Sequence, residues 1–376
     1  MTIDRGGSWR VARGALHVYR LFDVADAIDL ARAEALIAAP KSRLRLEGSH
    51  GSTALEIPRP PVHLALGPRT LPLASAHGPC QASAHLFDYG VVSIVYRLEI
   101  PPGTTLEALV PFAEELVAAP TSSLDGVARR EAEELSATLG PALDHPHAWD
   151  GLETYHVWVV QAFERPATAR ELLETAPLAQ LILGETSATP LSRAERDDVL
   201  KHHFSYLEDD LAVVDWNTAF VHEPSGVPDI PDLLEFATAH LLELRFYDAL
   251  LDRELQRIYD EIETKGLGPR PNPFTRRYLR LQRHTAALLL ELSEMIERLD
   301  NAVKIIGDFY LARLYQSAVR RFRLPAWEES VLRKQRLLSE VNGLLSHAAD
   351  TRRGEMLELT IIALILWEIL YALLRR

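Results

Sequence analysis

The segment LTIIALILWEILYALL, residues 359–374, decides between two architectures for this chain. It is apolar except for Thr360 and Glu368, and Arg375 and Arg376 follow it. As a helix it reaches about 24 Å, against a bilayer core of roughly 30 Å. Arginines on both flanks and aromatic residues near its C-terminal half favour a membrane tail. The alternative is a last helix buried in a soluble bundle or in an oligomer interface.

We predict a C-terminal hydrophobic helix over residues 355–376. Starting it at Met356 gives enough length to span, but this takes in Glu358, and a carboxylate inside a bilayer is costly. The predicted membrane segment includes Leu359, Ile362, Leu366, Trp367, Glu368, Leu370 and Leu374. We therefore expect the protein to associate with a membrane and to keep its N-terminal domain in the cytoplasm. If the tail is buried, we expect a cytoplasmic protein.

Composition limits the class of protein. A chain of 376 residues with 47% hydrophobic residues can bury a large core. The formal net charge of -13 argues against a protein that mainly coats nucleic acid. Cys80 is the single cysteine, which rules out an internal disulfide and a zinc site with two thiolates.

Residues 1–225 show an alternation of strand and helix patterns. Branched and aromatic residues are concentrated at 16–22, 91–100, 154–163 and 211–221. Capping-box pairs, in which a hydroxyl and a carboxylate bond the free amides of a first helical turn, occur at Thr104 and Glu107, Thr168 and Glu171, and Ser192 and Glu195. The pattern predicts an α+β N-terminal domain.

Residues 226–354 read as almost entirely helical. Leucines and isoleucines recur at spacings of three and four between 234 and 262 and again between 279 and 296. A break rich in glycine and proline, residues 266–273, separates the two rows. The simplest solution is an antiparallel, coiled-coil-like helical hairpin, and pairing between molecules through the same rows is the competitor.

Three stretches carry a resemblance to a known family. They are FDYGVV at 87–92, which we expect to form a strand, DDLAVVDWN at 209–217 and LDNAVKIIGDFYLARLY at 299–315, together with the glutamate-bearing apolar tail. They resemble the Rmd/YagE family, named for required for meiotic nuclear division proteins and described as a domain of unknown function. The resemblance implies a helical, coiled-coil-forming C-terminal half with a terminal membrane segment. Mitochondrial relatives support translation by the organelle's ribosomes, whereas this chain resembles a prokaryotic member.

Familiar catalytic motifs are absent from the sequence. There is no Gly-x-x-x-x-Gly-Lys phosphate loop, no Gly-x-Ser-x-Gly elbow and no His-Glu-x-x-His pair. The candidate functional acids are Asp210 and Asp215, on a strand pattern that points them to opposite faces. They could bind a cation, but aspartates at strand ends more often bond nearby backbone amides. We predict no cofactor and no metal site.

Histidines and one helix provide further candidates. His145 and His147 with Asp144 and Asp150, or the His202–His203 pair, could bind a metal, although neither group has a recognised ligand spacing. Asn301, Lys304, Asp308 and Tyr315 lie at helical spacings beside an apolar stripe, and we expect them to fix helix register or contact a partner. A solvated helix face is the alternative.

These observations predict a membrane-associated scaffold or assembly factor rather than an enzyme. Its expected partners are a membrane and a protein or a second copy bound through the long helices, and the substrate, if any, is unknown. One alternative is an RNA- or ribosome-binding factor that uses Arg276, Arg277, Arg280, Arg283, Arg320 and Arg321. The other is a metal-dependent enzyme that uses Asp210 and Asp215.

Overall fold

The N-terminal part of the protein is built on a large mixed sheet. The computed structural model describes residues 8–44, 46, 59–74, 79–118, 123–265, 283–290, 292–293, 296 and 309–374. Its strands are β1 (Val11–Asp23), β2 (Ala25–Ile28), β3 (Lys41–Arg43), β4 (Val62–Arg69), β5 (Cys80–Leu86), β6 (Val91–Glu99), β7 (Leu143–Pro146), β8 (Glu153–Phe163), β9 (His203–Phe204), β10 (Leu211–Val214) and β11 (Thr218–His222).

Nine of these strands form one sheet in the order β3-β4-β5-β6-β1-β8-β11-β10-β9, and β2 pairs with β7 separately. Neighbours in the large sheet are antiparallel except β8 and β11, which are parallel. A parallel pair needs a crossover connection, and the helices between these two strands provide it.

Along the chain, some helices lie between strands and the others follow the last strand. They are α1 (Leu30–Leu36), α2 (Leu106–Ala118), α3 (Ser123–Leu139), α4 (Ala169–Thr175), α5 (Leu178–Leu183), α6 (Arg193–Val199), α7 (Asp229–Lys265), α9 (Phe309–Arg321) and α10 (Leu324–Leu374), with residues 283–290 as α8. The prediction of a sheet-containing N-terminal domain followed by helices is therefore confirmed.

One face of the sheet carries the main apolar core. Because side chains alternate along a strand, Leu16, Val18 and Phe22 of β1 point to this face. Helices α2, α3 and α5 cover it with apolar residues that include Leu106, Leu124 and Leu178. The capping box at Thr168 is present, and Ser192 caps α6 through the amide of Glu195.

The opposite face meets the first part of α7 and helix α9. Phe236 of α7 lies 6.0 Å from Phe87 between ring centroids, and Tyr155 of β8 lies 5.2 Å from Phe322, which follows α9. The row predicted to pack at the start of the helical region, Leu234, Ala237, Leu241 and Leu244, is buried.

The chain divides into two compact units. The first contains Met1–Phe246 and Arg298–Trp327, and the second contains Tyr247–Glu297 and Glu328–Arg376. Within the second unit, Lys334 of α10 lies 2.8 Å from Asp248 and 2.6 Å from Asp252 of α7. His284 of α8 lies 3.2 Å from Glu254 of α7, so parts of α7, α8 and α10 contact one another.

Two local expectations differ from the structure. The stretch 87–92, expected as a strand, is largely a turn: the amide of Gly90 donates to the carbonyl of Phe87, and β6 begins only at Val91. Gly90 has φ +99°, and a Cβ atom there would lie 1.7 Å from the carbonyl oxygen of Ala25. The run 211–221 is broken into β10 and β11 because the amide of Asp215 turns back to the carbonyl of Thr218.

The predicted membrane helix is not supported. Among the described residues, no helix contains a stretch that is both long enough and apolar enough to cross a bilayer. The segment 359–374 does lie in a helix, the end of α10. Glu358, which directly precedes the segment, and Glu368, which lies within it, are exposed, and their charges interrupt the apolar run.

Candidate functional site

The sheet face beneath α7 carries a row of polar side chains. Cross-strand pairing places His63 of β4 opposite His85 of β5, and His85 opposite Ser93 of β6. All three residues therefore lie side by side on the face opposite the main core. Polar groups are rare in such a position because their desolvation is unfavourable unless they are paired.

Helix α7 provides the pairing group. Oε2 of Glu235 lies 2.7 Å from Nδ1 of His85, and both residues are buried. On the other side of the ring, Nε2 of His85 lies 3.2 Å from Oγ of Ser83. The ring of His63 stacks on that of His85 with centroids 3.6 Å apart. We call Ser83, His85, Glu235 and His63 the His85 network.

The contacts from the Ser83 hydroxyl to the His85 imidazole and on to the Glu235 carboxylate do not by themselves show that the network is catalytic. Ser83 and His85 are two residues apart on one strand and share a face for that reason alone. The contact that local geometry does not explain is the one between His85 and Glu235, which are 150 residues apart in the chain. A buried ion pair of this kind is held by the tertiary fold.

The network holds groups of very different proton affinity. Burial alone would lower the pKa of His85, but the charge and hydrogen bond of Glu235 outweigh it and raise the pKa above 6.5. For His63, burial and the nearby His85 lower the pKa to about 4. Burial, together with Glu235, raises the pKa of Asp232 to about 7. Asp232, which precedes Glu235 by three residues on α7 and neighbours the network, can therefore bind or release a proton near neutral pH.

A second cluster lies where β1, β2 and β7 meet. Nε2 of His147 lies 2.9 Å from Oδ1 of Asp23, and its Nδ1 lies 3.4 Å from Asp26. His145 approaches the same Asp26 at 3.3 Å. The predicted histidines thus meet Asp23 and Asp26, two acids that the sequence did not suggest. Asp144 is near His145, whereas Asp150 accepts a bond from Arg129 through its carbonyl.

This cluster is an imidazole held between two carboxylates. Burial alone would lower the pKa of His147, but hydrogen bonds to Asp23 and Asp26 raise it to about 9. In the protonated form both ring nitrogens of His147 are donors. No group of three or more histidine, cysteine or acidic side chains in the described part of the chain is arranged to hold a metal.

The candidate acids are placed apart from each other. Both carboxylate oxygens of Asp210 accept backbone amides, from Tyr206 and Leu207, so this side chain closes a turn. Asp215 lies at the far end of β10 and forms an ion pair with Arg321 of α9 at 2.5 Å. Of the adjacent histidines, His202 approaches Ser317 at 3.3 Å and His203 bonds the carbonyl of Leu200.

Of the four residues expected to fix helix register, Tyr315 is the one that lies in the described part of the chain. Tyr315 is buried in α9, with its ring 6.5 Å from that of Phe236. Asn301, Lys304 and Asp308 lie outside the described residues, as do Arg276, Arg277 and Arg280.

The terminal part of α10 is an exposed apolar surface. Its large side chains are between 51% and 69% exposed: Leu359, Ile361, Ile362, Leu364, Ile365, Leu366, Trp367 and Tyr371. Leu370 and Leu374 belong to the same helix. We call residues 355–376 the terminal segment.

The structure defines an α+β domain whose sheet is covered on one face by helices α2, α3 and α5 and on the other by a helix that closes a buried polar network. Residues 13–229 match the family described as "Uncharacterized protein MJ0711, N-terminal domain". The chain belongs to this family. The match runs from β1 to the first residue of α7, and it contains His63 and His85 but not Glu235.

A curated relative shows the same similarity. The chain is 26% identical over 181 residues to "Uncharacterized protein MJ0711" of Methanocaldococcus jannaschii. The aligned region covers 47% of this chain and 53% of the relative. The chain thus spans about half the length of that relative. No solved structure matches the chain. These matches do not mention the Rmd/YagE family, and that resemblance stays a prediction.

Sequence reasoning missed the His85 network. A weak signal was available, because Ser83 and His85 alternate with apolar residues in a strand pattern and Glu235 interrupts an apolar helix row. Neither signal shows that β5 and α7 lie against each other. Only the pairing register and the position of α7 bring the two residues together.

The first prediction concerns the buried ion pair. Glu235→Gln leaves the His85 ring buried without a compensating charge, so we expect the free energy of unfolding to fall by about 3 kcal/mol. The double variant His85→Leu with Glu235→Leu removes both groups and should be more stable than the single variant. Urea unfolding followed by circular dichroism measures both. Equal stability of Glu235→Gln and the native protein would show that the pair does not hold α7 on the sheet.

The second prediction concerns His147 and pH. Its pKa is raised from 6.5 to about 9 in the folded protein. Its stabilising contribution is therefore present at pH 6.5 and is lost as pH rises through 9. Below about pH 6 the ion pair weakens as well, because burial raises the pKa of its partner Asp23 to about 6. The stability difference between the native protein and His147→Gln should shrink between pH 6.5 and pH 9 in urea unfolding. His203→Gln, which changes an exposed histidine, serves as the control. A difference that stays constant with pH would contradict the raised pKa.

Proposed function

We propose that this protein is a scaffold that associates with further copies of itself through the terminal segment of α10. The observation that supports the proposal is the exposure of eight large apolar side chains between Leu359 and Tyr371. Monomeric soluble proteins rarely leave a contiguous apolar patch of this kind uncovered. The exposed residues follow one another closely along the helix and so occupy all of its sides, which favours cover by more than one neighbour.

Charge favours a second copy as the partner. The terminal segment begins with Glu355 and Glu358 and ends with Arg375 and Arg376. When two such segments pair antiparallel, the acidic start of one lies beside the arginine end of the other. Opposite charges at the ends of an apolar helix pair favour that orientation over the parallel one.

The second unit supplies a support for this surface. We propose that α7 and α8 form an antiparallel, coiled-coil-like hairpin. Leu251 and Leu255 of α7 and Leu288 of α8 are buried, and His284 approaches Glu254 across the two helices. Lys334 joins α10 to α7 through Asp248 and Asp252. A hairpin of this kind agrees with the helical, coiled-coil-forming C-terminal half that the Rmd/YagE resemblance implies.

The two alternative functions lack a supporting observation within the described residues. Asp210 and Asp215 each have a structural partner and lie at opposite ends of β10. Arg321, one of the arginines expected to bind RNA, is paired with Asp215. A scaffold function is supported instead by the exposed apolar surface of α10, which a partner would cover.

The third prediction tests self-association. Ile362→Asp together with Leu366→Asp places two charges in the proposed contact, and buried unpaired charges oppose association. Sedimentation velocity at several concentrations should show an oligomer for the native chain and a monomer for this variant. Leu344→Asp is the matched control, because Leu344 is 69% exposed on the same helix but outside the terminal segment. The control should remain oligomeric.

Two results would contradict the proposal. One is equal dissociation of the variant and the Leu344→Asp control, since the contact would then not be specific to the terminal segment. The other is a native chain that stays monomeric at every concentration and floats with phosphatidylcholine vesicles. In that case the apolar surface binds lipid and not a second copy.

A further inference from the structure

Helix α7 contacts two imidazole rings of the first unit from one side. Glu235 bonds His85 of β5. About three helical turns further on, the ring of Phe246 stacks on His147, the residue that follows β7. Glu235 and Phe246 therefore point to the same side of α7. The part of α7 that belongs to the first unit ends at Phe246, so the contact with His147 holds the end of that part.

The backbone fixes the position of the His147 ring between two carboxylates. The amide of His147 donates to the carbonyl of Val24 at 3.1 Å, next to the pairing of Ala25 with Pro146 in the sheet of β2 and β7. Nε2 of the ring faces Asp23 at 2.9 Å, and Nδ1 faces Asp26 at 3.4 Å. A neutral imidazole has one N–H and can donate to only one of them, whereas the protonated ring donates to both.

The face of the same ring receives Phe246. The two rings are nearly parallel, with 5° between their planes and 4.5 Å between their centroids. Trp149 meets Phe246 edge to face at 5.5 Å, and the phenyl ring is 5% exposed. A cation above an aromatic ring is attracted by its π electrons, most strongly where water is excluded. Phe246 is therefore held more strongly by the protonated form of His147 than by the neutral form.

The charged and titratable groups around this contact come from six elements: Asp23 of β1, Asp26 of β2, Arg129 of α3, Asp144 and His145 of β7, Glu153 of β8, and Glu243 and Arg245 of α7. Arg129 bonds the carbonyl of Trp149, and Arg245 pairs with Glu153. The charge of Glu243 acts on the hydroxyl of Tyr89. Asp23 and Asp26 are the groups that set the proton affinity of His147.

We propose that His147 is a proton-dependent contact for α7: the protonated ring, held by Asp23 and Asp26, keeps Phe246 packed in the first unit, and loss of the proton releases it. The contact does not involve the terminal segment of α10. It therefore adds a pH-controlled step to the proposed scaffold and does not depend on self-association.

The direction of the pH response follows from the two carboxylates. Their hydrogen bonds raise the pKa of His147 to about 9, so the contact is closed at neutral pH and opens as pH rises through 9. Burial raises the pKa of Asp23 to about 6, so the contact also weakens below about pH 6.

Hydrogen–deuterium exchange of the full-length native chain measures the release. Labelling times are shortened at high pH to offset the faster intrinsic exchange. Amides in peptides covering residues 239–247 should lose about tenfold in protection between pH 7 and pH 10, as expected for one desolvated cation–π contact. Peptides from β6, which lies away from His147, should keep their protection over the same interval.

Three variants separate this contact from a general alkaline loosening. Phe246→Leu keeps an apolar side chain but removes the aromatic ring, so the loss of protection near pH 9 should disappear. His147→Phe combined with Asp23→Asn keeps a stacked ring that carries no proton and leaves no lone buried carboxylate at position 23, and it should remove the same step. His145→Asn is the matched control, since this neighbouring histidine is 78% exposed in its side chain and asparagine tolerates its φ of 44°.

Circular dichroism at pH 7 identifies the variants that are folded, and either Phe246→Leu or the double variant is sufficient for the test. A step near pH 9 in the native chain and in His145→Asn, absent from the folded variant, supports the proposal. Unchanged protection of residues 239–247 in the native chain up to pH 10 overturns it. A step of the same size in Phe246→Leu or in the double variant overturns it as well, because α7 would then loosen without any change at this contact.

Discussion

The buried pair of His85 and Glu235 is the constraint on which the arrangement of the first unit depends. The sheet face below α7 carries histidines and serines, so an apolar helix could not cover it without leaving those groups unpaired. Glu235 pairs one of these groups, His85, through a carboxylate oxygen 2.7 Å away. Its position fixes both the rotation of α7 and the height at which the helix crosses β5. Phe236, the next residue, then meets Phe87 at the turn before β6.

Local patterns predicted the elements but not their contacts. The strand runs at 16–22, 91–100 and 154–163 became β1, β6 and β8 because alternation and branched residues report directly on strand conformation. The change of pattern near residue 225 precedes the start of α7 at Asp229, whereas the first compact unit extends to Phe246. In contrast, the break at Asp215 depends on a turn hydrogen bond, which composition does not reveal.

Local sequence likewise did not reveal which residues the candidate side chains contact. His147 was noticed for its neighbours in sequence, yet its partners are Asp23 and Asp26, which come from β1 and β2 more than a hundred residues earlier. Asp210 was noticed as an acid and binds backbone amides, which is the role that aspartates at strand ends commonly have. The membrane tail was inferred from apolar composition, and the charges of Glu358 and Glu368 limit the length of its apolar run.

Histidine NMR of the native chain and of Glu235→Gln measures directly how the buried carboxylate affects the proton affinity of His85. We expect the ring of His85 to titrate above 6.5, because Glu235 stabilises its protonated form, and the pKa to fall when the carboxylate is replaced. His63, stacked on it, should stay neutral well below that pH, since its pKa is lowered to about 4. A His85 ring that titrates below 6.5, or equally in both proteins, would contradict the account.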